Sequence, residues 1–146
     1  MRKVLLALTI AAVLAFTAGA SASLSPSAYR AKVNGICVTG VKTLNAIPKP
    51  TKPSGYYAFF KKATNASDAL LVKVVSVKPP ASLQAVVATA AAKQLAFENA
   101  LHTLTNKLKT SKNPQQTVQA AQSKLNKLNG AANVAWRAAG LTKCAG

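Results

Sequence analysis

The sequence predicts an all-α fold: an antiparallel up-down-up-down four-helix bundle with one disulfide, following a cleaved signal peptide. Three observations lead to this prediction. Apolar residues recur at alternating steps of three and four along several stretches, which is the spacing of one helix face. Segments that contain proline separate these stretches. Two cysteines bracket most of the chain that follows an apolar N-terminus.

The N-terminus has the organisation of a secretory signal. Two basic residues precede an apolar run from Val4 to Phe16, and the small residues Ala20-Ser21-Ala22 follow. We expect cleavage after Ala22, which leaves residues 23–146 as one helical domain. The alternative is an uncleaved membrane anchor, because the apolar and small residues from Val4 to Ala22 are just numerous enough to span a bilayer.

The longest helix is predicted from Leu83 to Leu108. At roughly 1.5 Å per residue it is about 39 Å long, and it cannot bury an apolar face without other helices against it. Its predicted seam alternates in steps of four and three and consists of Leu83, Val87, Ala90, Gln94, Phe97, Leu101, Leu104 and Leu108. Gln94 is the one polar member, and we interpret it as a residue that fixes the register of the helices.

Three further helices are predicted, from Ser25-Pro26 to Ala46, from about Tyr56 to Val77, and from Gln115 to Ala139. Ser25 is a suitable N-cap, and a proline is accepted in the first turn. The segment Ile47 to Gly55 contains three prolines, and we interpret it as a stiff basic spacer; the alternative is a proline-rich ligand. The end of the second helix is rich in β-branched residues and is also compatible with a strand, but an isolated strand has no partner. The predicted inward positions of that helix are Tyr56, Phe59, Phe60, Ala63, Leu70, Leu71, Val74 and Val75.

The fourth helix carries signals at its start, middle and end. Asn113 is a candidate N-cap, with Gln116 placed to complete a capping box. Asn129-Gly130 is a turn signal that predicts a kink or a split in the helix. Gly140 followed by Leu141 predicts a glycine stop with the leucine packed back.

The two cysteines, Cys37 and Cys144, are expected to form one disulfide, since an even pair in an exported chain indicates oxidation. Cys37 lies about 17 Å into the first helix, whereas a four-residue tail reaches at most about 14 Å. The bridge therefore requires the fourth helix to end part-way along the first, with the tail folding onto it.

The charge is extreme for a chain of this length. It has 19 lysines and arginines against two acids, Asp68 and Glu98, and a formal net charge of +17. We expect attraction to polyanions, with a surface formed by dispersed cations rather than a shaped site. The candidate polyanion-binding residues are Lys61, Lys62, Lys73, Lys93, Lys107, Lys109, Lys112, Lys124, Lys127 and Arg137.

Catalytic and metal chemistry have little support. His102 is the only histidine and lies four residues after Glu98, so the two are either an acid/base pair or an ordinary surface pair. The sequence offers no convergent metal-ligand set, and we predict no cofactor and no metal. A small hydrolase that uses a serine or threonine with His102 is the alternative from another class, although no GxSxG or SxxK motif is present.

Three segments, AYRAKVNGIC, VKPPASLQA and AAGLTKCAG, resemble small exported helical proteins of high-GC Gram-positive bacteria. That group has a cysteine in the first mature helix, a Pro-Pro between middle helices and a terminal Gly-Leu-x-x-Cys. The resemblance covers nearly all of the mature chain and implies a bundle with a Cys37–Cys144 bridge in the envelope or outside the cell. It implies no activity, because the group has none assigned.

These expectations combine into one functional hypothesis. The protein is predicted to be exported or associated with the cell envelope, and to bind or to have a structural role. Its expected partners are anionic envelope polymers or lipid headgroups, held electrostatically. Non-specific binding of nucleic acid is the other alternative, which the scarcity of arginine disfavours for base or phosphate recognition.

Overall fold

The computed structural model describes residues 24–146, and this part of the chain is a helical bundle. Its four α-helices are α1 Pro26–Asn45, α2 Tyr56–Ser76, α3 Gln84–Thr110 and α4 Pro114–Ala138. Short 3₁₀ turns, Pro53–Gly55 and Ala81–Leu83, precede α2 and α3. The all-helical prediction is confirmed for the described residues, and α2 stays helical where a strand was the alternative. The predicted signal peptide lies outside the described residues.

Side-chain caps start the first and last helices as their sequences predict. The Ser25 hydroxyl accepts from the Ala28 amide at 3.2 Å, and the Asn113 side chain accepts from the Gln116 amide at 3.1 Å. The predicted capping box is only half formed, because the Asn113 amide donates to the Ser111 hydroxyl instead. Of the two outcomes predicted at Asn129-Gly130, a kink or a split, the split is wrong. The helix runs without a break from Pro114 to Ala138.

The C-terminus of α4 is a glycine stop. Gly140 has φ of +74°, the left-handed conformation that glycine adopts without a Cβ penalty. The Gly140 amide donates to the Arg137 carbonyl and the Leu141 amide to the Trp136 carbonyl, both at 2.9 Å, which is the Schellman pattern. Leu141 is fully buried, so the predicted back-packing is confirmed.

Consecutive helices pack together, most extensively α3 with α4, then α2 with α3 and α1 with α2. Leu70 of α2 lies so close to Gly40 of α1 that no side chain fits there without displacing it. At the α2–α3 interface the Thr64 and Thr105 hydroxyls lie 3.2 Å apart. The main core cluster draws on all four helices and the C-terminal tail and includes Tyr29, Val33, Cys37, Val74, Val87, Ala90, Trp136 and Leu141.

The predicted seam of α3 is confirmed at six of its eight positions, which are buried; Gln94 and Phe97 are half-buried. In α2 the prediction is wrong at Val75, which is 51% exposed. One residue turns a helix by about 100°, so Val74 and Val75 cannot both face the core, and Val74 is the buried one.

The disulfide between Cys37 and Cys144 is present, with the two Cα atoms 5.0 Å apart. The helix end also lies beside α1, because Arg30 Nε donates to the Ala139 carbonyl at 3.0 Å. Asn34 then accepts from the Lys143 amide at 3.0 Å. The tail thus folds onto the middle of α1, the arrangement that the bridge requires.

Candidate functional site: a basic surface around a buried carboxyl

All ten candidate polyanion-binding residues are exposed. Seven of them are lysines on α2 and α3 or in the connector that follows, and three lie on α4, so the cations are distributed around the bundle. Of these ten cations, Lys61 lies near an aromatic ring: its ammonium is 5.9 Å from the centre of the Tyr57 ring. The surface therefore offers positive charges on flexible stems, with no fixed geometry of the kind that selects one ligand.

The two acidic side chains do not neutralise this surface. Asp68 pairs with His102, with Oδ2 and Nε2 3.0 Å apart, and both side chains are partly exposed. Glu98 is only 1% exposed. Within residues 24–146 the Asp68–His102 contact is the only ion pair, so no lysine or arginine there is paired with a carboxylate.

The structure corrects the sequence-based view of Glu98 and His102. The predicted contact between them as a surface pair is wrong, because Glu98 turns into the α2–α3 interface while His102 reaches Asp68 across it. The two carboxyl groups, which are 30 residues apart in the sequence, are neighbours in the folded protein. Asp68 lies close enough to Glu98 to raise the pKa of its carboxyl by charge repulsion.

A chain of hydrogen bonds holds the buried Glu98. Its Oε1 accepts from the Ser67 hydroxyl and from the Gln94 side-chain amide, each at 2.6 Å. The Gln94 Oε1 in turn accepts from the Trp136 indole at 3.1 Å. The network joins α4, α3 and α2. Gln94 is its central member, because its NH₂ group donates to the carboxyl and its oxygen accepts from the indole.

The second carboxyl oxygen, Oε2 of Glu98, is buried without a hydrogen-bond partner among the described residues. Burial is the largest influence on this group and raises its pKa above the ordinary value of 4.5. The hydrogen bonds from Ser67 and Gln94 lower the pKa, but they do not outweigh desolvation. A raised pKa favours the neutral acid in the folded protein, which lowers the cost of an unpaired buried oxygen.

This buried acid makes a pH-dependent contribution to stability. The unfolded chain releases the Glu98 proton near 4.5, whereas the folded protein holds it to higher pH. Between these two pKa values the native state binds more protons, so the contribution of Glu98 is full below 4.5 and declines as pH rises through the folded pKa. Replacing Glu98 with Gln should remove this decline, which melting temperatures across a pH series will measure.

Asp68→Asn is the matched control for that series, because Asp68 is a partly exposed carboxyl that directly follows Ser67 on α2. We expect it to leave the decline largely in place. A Glu98→Gln protein whose stability follows the same pH course as the unmodified protein would contradict the assignment of the decline to Glu98.

The polar interior was partly visible in the sequence. Glu98 lies four residues after Gln94 and Thr105 four residues after Leu101, so the polar residues continue one edge of the predicted seam. Thr64 and Ser67 follow the inner face of α2 in the same way. The buried polar side chains are Thr64, Ser67, Glu98 and Thr105, whereas Gln94 is half-buried. A buried polar interface could have been predicted from Thr64 and Ser67, two short hydroxyl residues at helical spacing on α2, together with a single glutamate, Glu98, on the next helix.

Catalytic and metal sites find no further support in the described residues. His102 is about half exposed and its ring contacts Asp68, and no serine or threonine hydroxyl within residues 24–146 bonds to it. No cluster of three or more His, Cys, Asp or Glu side chains occurs in this part of the chain.

Comparison with known proteins gives no relatives: no protein-family model, curated protein or solved structure matches this chain. Over the described range, no helix has both the length and the apolar character needed to cross a membrane.

Proposed function

We propose that this is an exported, non-enzymatic binding or structural protein that associates through its positive surface with anionic envelope polymers or lipid headgroups. Its helices alternate in direction as an up-down-up-down bundle after removal of a signal peptide. Contacts of α3 with its neighbours support the alternation: Thr64 lies against Thr105 and Ser67 against Glu98, so α2 and α3 run in opposite directions. Gln94, in the first half of α3, bonds to Trp136 in the last turn of α4.

The main support for the proposal is that neither acidic side chain, Asp68 or Glu98, is paired with a lysine or arginine in the described residues. Beyond residue 22 there are 17 basic residues, which is the total of 19 less Arg2 and Lys3, and two acids. One acid is buried and the other is paired with His102, so the lysine charges are not compensated within the described residues. Such a surface attracts polyanions and releases their counterions on binding. The Cys37–Cys144 bridge is consistent with an oxidising, extracytoplasmic compartment.

Binding should be governed by charge density. We expect measurable affinity at low salt for an anionic wall polymer, for vesicles with anionic headgroups and for a nucleic acid, and none for a neutral glycan. Affinity should fall steeply towards about 0.15 M salt, where the screening length is about 8 Å. Calorimetric titrations at several salt concentrations will measure this. Tight, salt-insensitive binding to one polymer would contradict a diffuse surface and indicate a shaped site.

Two matched variants test whether the surface is diffuse. One replaces Lys107, Lys109, Lys124 and Lys127 with Gln; the other replaces Lys61, Lys62, Lys73 and Lys93. Each removes four exposed charges, so both should weaken binding to a similar extent and flatten the salt dependence equally. Loss of binding in one set alone would show that the cations act as a local site.

A further inference from the structure

We propose that a cleft beneath the disulfide, where the core opens between α1 and α4, binds a small uncharged amphiphile such as an aromatic alcohol. The cleft lies apart from the lysines of the proposed polyanion surface. It is formed where α1, which packs on α2, meets α4 through the C-terminal tail. Residues from all four helices line it.

The walls of the cleft are mainly apolar. Its volume is about 140 Å³, and its lining includes Val41, Leu44, Leu71 and Phe97, with the Cys37–Cys144 disulfide above. An apolar cavity of about 150 Å³ suits a molecule of the size of benzene, whereas drug-sized ligands need about 300 Å³ or more. The cleft therefore fits one aromatic ring or a short alkyl chain and is too small for a lipid tail.

The charge of the lining excludes anions as the favoured ligand. No lysine or arginine lines this cleft, although the chain is strongly basic. Three other surface grooves have two or three lysines each: Lys107 and Lys124 in one, Lys32 and Lys73 in another, and Lys49, Lys52 and Lys62 in the third. Burial in this lining would strip water from a charged ligand group without supplying a charge to pair with it.

One side of the cleft is polar and held in place. Ser67, Gln94 and Trp136 line it, and all three belong to the network around Glu98. The Ser67 hydroxyl donates a hydrogen bond to Glu98, so its oxygen retains acceptor capacity for a ligand hydroxyl. Glu98 is thus a positioning residue, which fixes the orientation of the groups that a ligand would meet.

The asparagines of α4 complete the polar side. Asn133 donates to the Gly146 carbonyl at 3.1 Å, which leaves its own carbonyl oxygen as an acceptor. Asn129 is exposed at the cleft and carries both an amide donor and an acceptor. An apolar body against the leucines, with one hydroxyl towards α4 and Ser67, matches this division of the lining.

Trp136 provides a direct readout, because it is the only tryptophan in the chain, is 2% exposed and lines the cleft. We would titrate the full mature protein with benzyl alcohol and follow indole fluorescence and amide NMR shifts. The titration is run at about 0.5 M salt, so that the general positive field is screened. We expect saturable chemical-shift changes confined to residues of the cleft. Benzoate should bind at least about tenfold more weakly than benzyl alcohol, because its carboxylate would be desolvated there.

Two substitutions locate the site. Val41→Phe fills the cleft and should weaken benzyl alcohol binding by about tenfold or more; Val72→Phe adds the same bulk at a side chain that is 64% exposed and should leave binding unchanged. Phe97→Ala enlarges the cleft and should allow 2-naphthol to bind where the unmodified protein excludes it. If Val41→Phe does not fold, binding of 2-naphthol to the Phe97→Ala protein tests whether the cleft is the binding site. Non-saturable titrations, or equal effects of the two valine substitutions, would overturn the proposal.

Discussion

Loss of the Cys37–Cys144 disulfide is expected to lower the free energy of unfolding by about 4 to 5 kcal/mol. The bridge closes a loop with a sequence separation of 107, which restricts most of the described residues in the unfolded state. Small domains have only about 5 to 15 kcal/mol of stability in total. A chain with a large excess of one charge repels itself in the compact state as well, so this bridge should supply a large fraction of the net stability.

The measurement is a pair of denaturant titrations, on the oxidised protein and on a Cys37→Ala/Cys144→Ala double variant. Alanine is preferred to serine, because Cys37 is 1% exposed and a serine there would bury a hydroxyl without a partner. Reductant should destabilise the unmodified protein and have no effect on the double variant, which controls for other actions of the reductant. Equal midpoints for the oxidised protein and the double variant would show that the bridge does not contribute to stability.

The features that sequence predicted well are local. The bounds of the helices follow from proline, capping residues and glycine, each of which acts on its own backbone or on the next few residues. Ser25 and Gly140 show this most directly, because both perform the predicted hydrogen bonding at the predicted helix end. The disulfide was also predictable, since two cysteines in a chain with a predicted export signal leave one pairing.

The features that sequence missed depend on two helices at once. Periodicity placed Glu98 near the edge of the α3 seam, but whether such a residue faces water or protein depends on Ser67, which is on α2. The same holds for His102, whose partner Asp68 comes from α2 rather than from its own helix. A rule for residues four apart on one helix cannot anticipate an acceptor that only tertiary packing supplies.

The candidate ligand cleft is also a feature that depends on more than one helix and that the sequence did not predict. Phe97 was predicted as a seam position of α3, and both Phe97 and Leu44 are only half-buried in the bundle. Both side chains line the cleft, where α1 meets α4 through the disulfide-linked tail. Small differences in helix separation decide whether such a region is filled, and apolar spacing does not encode them.

The contrast between Leu104 and His102, two residues apart on α3, tests the core assignment itself. Leu104→Ala should cost about 2 to 5 kcal/mol, because this side chain is 1% exposed and its loss leaves a cavity that the bundle only partly refills. His102→Ala should cost less than about 0.5 kcal/mol, since an ion pair between partly exposed groups contributes little.

Denaturant titrations of both variants at pH 7 give the comparison. The Leu104→Ala protein should retain the helical circular dichroism of the unmodified protein below its lower midpoint, which separates a cavity from loss of fold. Leu101→Ala, at 8% exposure, should fall in the same range as Leu104→Ala. If His102→Ala cost as much as either leucine variant, the Asp68–His102 pair would have to be coupled to the buried Glu98, and the interface between α2 and α3 would be held by its polar groups as much as by its apolar seam.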